Sequence, residues 1–116
     1  MKMNIEIKLK SKKISVNNVR SVGIFGKIRG LMFRKLEKAP ILLFDKSENA
    51  SLHSFFVFFR FVCVWLDEKN NVVECKIVKP FEYYVKPNVK FSKILEVPIN
   101  RRYDSIVTFL VGERFK

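Results

Sequence analysis

The chain has 116 residues and a mass of 13.7 kDa, with 48% apolar and 29% charged residues. That balance fits one globular domain over 1–116 and excludes a disordered, collagenous or multidomain chain. Twenty-three Lys and Arg against 11 Asp and Glu give a net charge of +12 and a pI near 10.0, which marks a basic protein.

Residues 3–9 alternate, with Met3, Ile5, Ile7 and Leu9 on one side and Asn4, Glu6 and Lys8 on the other. Period two predicts a half-buried strand with a basic outer face. Ser11–Lys13 reads as a turn, and Ile14 and Val16 begin a second arm that Asn17 and Asn18 end. Val22, Phe25 and Ile28 recur at helical spacing, which places one short helix at 20–28, stopped by Gly30. A short strand follows at 41–44. Residues 52–67 carry the longest strand signal, rich in Phe and Val. This run does not alternate, so both faces are expected to be covered, with a break or bulge at Arg60. Residues 68–71 form a turn and 72–78 the return arm of a hairpin. Another strand is expected at 90–97, a turn at 100–104, and a last strand at 105–111 closed by Gly112. The expected fold class is all-β: a single antiparallel sandwich, jelly-roll-like, or a partly open barrel, with one short helix.

Two cysteines, Cys63 and Cys75, are too few for a disulfide scaffold. A two-residue hairpin turn puts them on opposite faces of the sheet. A three-residue turn makes them diagonal neighbours about 7–8 Å apart, too far for a bond. No apolar run approaches the about 20 residues of a membrane span, and no signal-peptide pattern is present. Free thiols, no membrane span and a cytoplasmic location are therefore expected.

No nucleophile elbow, phosphate loop or Cys-x-x-Cys pattern occurs, so no catalytic residue, metal or cofactor is assigned. Asp67, Glu68 and Glu74 are better explained by a turn than by acid–base chemistry. The charge is informative. Residues 1–46 hold twelve Lys and Arg against Glu6, Glu37 and Asp45. Lys8, Lys10, Lys12, Lys13, Arg20, Lys27 and Arg29 are the candidates for a basic face that meets nucleic acid or another polyanion. Aromatics interleave with charge at 81–86 and at Arg101–Tyr103. They suit base stacking or packing at the rim of the core. The twelve Phe leave room for a protein partner or a homo-oligomer.

Several blocks stand together in order: Arg29-Gly30-Leu31-Met32-Phe33-Arg34, His53-Ser54-Phe55-Phe56-Val57, Val64-Trp65-Leu66-Asp67, Lys79-Pro80, Leu95-Glu96-Val97-Pro98 and Val111-Gly112-Glu113. Over about 16–113 this resembles the family of small archaeal and bacterial proteins called domain of unknown function 192. The resemblance implies a compact jelly-roll sandwich with little helix and no established activity. The chain departs from the pattern at Arg60 and Val62, where similar proteins carry Pro and Asp, and at Ile99 and Asn100, where they carry Ala and Gly. The Gly-Leu-Met-Phe-Arg block marks a second candidate, a ligand pocket or uncharacterised active site built from Gly30, Arg34, His53 and Glu96. Packing offers a simpler account. There Gly30 ends the helix and Arg34 pairs with a carboxylate such as Glu96. Arg60, within an apolar run, must reach solvent or pair with Glu96 or Asp67. The reading these residues favour is a non-catalytic module that binds an anionic partner through its basic N-terminal face.

Overall fold

A computed structural model describes residues 2–21, 36, 39–45, 59–80 and 90–112. Its strands are β1 (Lys2–Leu9), β2 (Lys12–Ser21), β3 (Leu42–Asp45), β4 (Phe61–Leu66), β5 (Val72–Val78) and β6 (Lys93–Pro98). A 3-10 turn (Arg101–Tyr103) leads into one helix, α1 (Asp104–Val111). The strands form one six-stranded sheet in the order β1-β2-β3-β6-β4-β5. All pairs are antiparallel except β2 with β3, which is parallel. Among the described residues the strands thus make one curled, mostly antiparallel sheet, which fits the expected partly open barrel rather than a two-sheet sandwich. Lys8 and Asn71 form an isolated bridge that brings the edge strands β1 and β5 together.

The curl follows from the alternation. Ile5 and Ile7 of β1, Val16 and Val19 of β2, Leu43 of β3, Val62, Val64 and Leu66 of β4, and Leu95 and Val97 of β6 all enter one buried cluster. Ile106, Val107 and Leu110 of α1 complete it. A face that gathers both sheet edges around one helix is the inner face. The outer face of the central strands is also covered. Leu42, Phe44, Phe61, Cys63, Trp65 and Ile94 form a second cluster with Ala39 and Phe59. Every residue of β4 is buried, as its unbroken apolar run predicts. Phe59 lies in a bend and Arg60 precedes the strand, exposed to solvent.

Two expectations near β2 are corrected. Asn17 and Asn18 do not end the strand, which runs on to Ser21. Met3 pairs with Val19 but Ile5 with Val16, so β2 carries one extra residue there. Asn18 takes φ +58, and its N–H donates to Oδ1 of Asn4 at 3.2 Å. The turn chemistry of Asn serves a bulge rather than a chain reversal. Arg20 and Ser21, the proposed start of a helix, pair instead with Leu42 and Leu43. Residues 22–28 lie outside the described residues.

The largest correction concerns 104–111, expected as a strand from 105 and found as helix α1. Ile106, Val107 and Leu110 fall on one helical stripe and face the sheet. Gly112 stops the helix at φ +75, its N–H donating to the Thr108 carbonyl at 2.7 Å. A Cβ at Gly112 would meet no atom within 4 Å. Gly112→Ala is therefore expected to cost about 1 kcal/mol through the left-handed backbone alone, read as a drop in the denaturation midpoint at unchanged m. A neutral result would mean that the cap does not hold this conformation. Among the described residues, no helix is long and apolar enough to cross a membrane.

Candidate functional site

The β1–β2 hairpin turns at Lys10 and Ser11, with Lys10 at φ +57. The strand register puts Lys8 directly opposite Lys13, and Leu9 opposite Lys12. Lys10, Lys12 and Lys13 are exposed and Lys8 is half-buried. Like charges directly opposite are unfavourable in a ladder, so this pairing is not one chosen for strand stability.

The tip does not stand alone. The β4–β5 turn is built by Asp67, whose Oδ1 accepts the N–H groups of Lys69 at 2.9 Å and Asn71 at 2.8 Å. Its Oδ2 accepts Nδ2 of Asn71 at 3.0 Å. The Asn71 side-chain bond, ahead of these backbone bonds, holds the Asp67 carboxyl below its ordinary range. Asn70 takes φ +65 and presents its carbonyl to the N–H of Lys8 at 3.0 Å. Lys8 Nζ donates to the Lys69 carbonyl at 3.4 Å, and Lys93 Nζ to Oδ1 of Asn70 at 2.7 Å. Two hairpin tips are thereby joined at one end of the curled sheet, with Lys8, Lys10, Lys12, Lys13, Lys69 and Lys93 set against Asp67 and Glu68.

The sequence candidates therefore divide. Lys8, Lys10, Lys12 and Lys13 are gathered on one tip. Arg20 is half-buried at the other end of β2, about 20 Å away along the strand, and does not join them. Lys27, Arg29, Gly30, Arg34 and His53 lie outside the described residues, as do 81–86. Lys69 and Lys93 were not singled out by sequence. Only the closure of β1 onto β5 brings them to the lysine tip. Arg102 and Tyr103 are engaged with the fold. The guanidinium lies 5.1 Å from the Tyr103 ring centroid and donates to the Ala39 carbonyl at 3.0 Å. Tyr103 packs on the inner cluster, which favours rim packing over base stacking.

Glu96 is a different kind of feature. It sits mid-strand in β6, opposite Leu42 of β3 and Cys63 of β4, with 4% of its surface exposed. Its Oε1 is buried with no hydrogen-bond partner among the described residues. Burial pushes its carboxyl up from 4.5 to about 8, so the group is largely protonated at neutral pH. Burial, with Glu96 next in importance, also pushes the Cys63 thiol well above its ordinary value. A thiol held protonated in this way is a poor nucleophile, so the Cys63–Glu96 pair is no thiolate site. Both cysteines are free. Cys75 occupies the inner face, where its Sγ donates to the Leu110 carbonyl at 3.5 Å. The opposite-face alternative is the one realised, because Val64 rather than Cys63 pairs with Cys75.

No family model matches the chain, and neither does any curated protein. Among solved structures, it is similar to a protein of unknown function from Novosphingobium aromaticivorans DSM 12444, with a TM-score of 0.66 and 12% identity, covering 91% of this chain and 79% of that one. At that identity the likeness speaks for the fold alone.

Proposed function

We propose that this protein is a small cytoplasmic, non-catalytic binding module that holds a polyanion on the tip of its β1–β2 hairpin. The observation that carries the reading is the gathering of Lys8, Lys10, Lys12 and Lys13 on one turn, with Lys8 and Lys13 directly opposed. Lysines are compact point charges that hold phosphate without reading sequence. Kinship with the domain of unknown function 192 proteins is part of this reading, supported by the ordered motif blocks.

Fluorescence anisotropy with labelled single-stranded RNA and duplex DNA tests it. Micromolar binding near physiological salt is expected, together with at least a tenfold loss in a Lys10→Glu, Lys12→Glu double variant. Equal binding by the variant, or none by the parent, would overturn the reading.

A second reading is favoured by Glu96 alone. A buried carboxyl whose oxygen has no partner among the described residues suits the polar anchor of a ligand pocket. Under this alternative, Arg34 and His53 would complete the site with Gly30.

A further inference from the structure

Resting on that reading, we infer that the polyanion is duplex nucleic acid, and that its phosphates seat across both hairpin tips, with Lys69 of the β4–β5 turn as part of the surface. Three observations carry this. First, the tips are bonded to each other. Lys8 gives its N–H to Asn70 and its Nζ to the Lys69 carbonyl, and Lys93 pins Asn70 from the β6 side. A ligand on one tip therefore meets the other as a fixed neighbour, at no ordering cost beyond the side chains. Four strand ends, β2, β1, β5 and β4, lie side by side there. At the usual strand spacing they span about 14 Å, a length of duplex that carries about eight phosphates.

Second, the chemistry is of one kind. The exposed cations on the two turns, Lys10, Lys12, Lys13 and Lys69, are all lysines, with Lys8 half-buried beside them. Among the described residues of 8–13 and 67–71 there is no aromatic side chain. Single strands are held by base stacking on aromatic platforms. Phe91, half-buried, lines a cleft beside the β4–β5 turn with Asp67 and Glu68, but the two turns themselves carry cations and no ring. Such turns match a ligand whose bases are already stacked inward and whose phosphates face out. An anionic bilayer fits less well, because no large exposed apolar side chain lies on either turn to enter it. Met3, which is exposed, lies toward the opposite end of β1.

Third, the opposing charge on this tip is small and fixed in place. The Asp67 carboxylate, still ionised, is held in its own turn by three hydrogen bonds, and Glu68 is the other acid among residues 67–71, against five lysines on the two turns.

The test is a salt titration of a labelled 20-base-pair duplex, in two unrelated sequences, against the full chain and its Lys69→Gln, Lys10→Gln and Lys79→Gln variants. The Lys69 bond to Lys8 uses the Lys69 carbonyl, so Lys69→Gln leaves the joined tips intact. Five phosphate contacts predict a slope of log K on log salt of about −4.5, and each lysine lost from the seat should reduce it by about 1. Lys69→Gln and Lys10→Gln are expected to do so equally on both sequences. Lys79→Gln, exposed beyond the far end of β5, is expected to leave the slope unchanged. If Lys10→Gln lowers the slope and Lys69→Gln does not, the shared seat is overturned while the β1–β2 site stands. If a single strand binds as tightly as the duplex at equal salt, the duplex assignment is overturned. If the parent chain binds neither, the proposed function falls and this inference with it.

Discussion

Raising the pH from 5 to 8.5 is expected to destabilise the fold progressively, and Glu96→Gln is expected to abolish most of that loss. Glu96 lies in the middle of the sheet with apolar neighbours on both adjoining strands, Leu42 and Cys63 in register and Ile94 on the same face. Burial raises its carboxyl from 4.5 to about 8. Between those values the folded chain holds a proton that the unfolded chain has released, so the free energy of unfolding falls as pH rises. The stability is fully present below 4.5 and is lost through the window up to about 8, where the loss levels off. Over the whole window it is about 4 kcal/mol, comparable to much of a small domain's stability. Asp67 has the opposite sign, since its folded carboxyl is held low. Its contribution is present above its unfolded value and disappears only in acid, outside this window. The Cys63 thiol, pushed well above 9.0, enters only at more alkaline pH. Urea midpoints at pH 5, 7 and 8.5 decide the matter. The Gln variant should match the parent at pH 5 and exceed it at pH 8.5. A parent whose midpoint is flat across that range would show that Glu96 keeps an ordinary carboxyl and finds a partner for its charge.

The same residue shows what can be read from sequence and what cannot. The stretch Ile94–Val97 is apolar at every position but Glu96. A run without alternation already says that both faces are covered, so burial of the one acid within it is legible. Its missing partner is not, because that depends on what the outer face meets. The β4–β5 hairpin was legible for a local reason. A β-rich run, Asp67 with its turn-forming carboxylate, and a second β-rich run leave few alternatives. The bulge at Asn17–Asn18 is not legible, because left-handed Asn serves a bulge and a reversal equally well. The basic surface was half legible. Clustering in sequence brought the tip lysines together but included Arg20, which strand length carries to the far end. Lys69 is sixty-one residues from Lys8, and only the closing of the sheet on itself brings them into contact.

Truncating Leu110 is expected to cost about 3 kcal/mol, within the range for leucines removed from a close-packed core. The argument turns on why 104–111 is a helix at all. Its residues, Ser-Ile-Val-Thr-Phe-Leu-Val after Asp104, favour a strand by composition. The signals for a helix are Asp104 in the first turn and Gly112 after the last. They are weak beside the β-branched content, and tertiary packing decides. A sheet curled until β1 meets β5 encloses an apolar inner face. A strand laid there could not pair its backbone with the sheet, whereas a helix satisfies its own. The two conformations make different demands on the side chains. The helix buries Ile106, Val107 and Leu110, at 8%, 2% and 5% exposure, and leaves Phe109 and Val111 partly open. A strand would instead pair Val107 with Phe109 and Val111 on one face. Alanine substitutions at 106, 107, 109, 110 and 111, each read as a denaturation midpoint, therefore separate the two. The helix requires 106, 107 and 110 to be the costly positions, with exposed Ser105→Ala within about 0.5 kcal/mol of the parent. Equal large losses at 107, 109 and 111 with little at 106 and 110 would restore the strand and remove the plug from the sheet. The apolar inner face that the alternation of the strands creates would then lack the helix that fills it, and the curl that joins the two hairpin tips would lose part of its support.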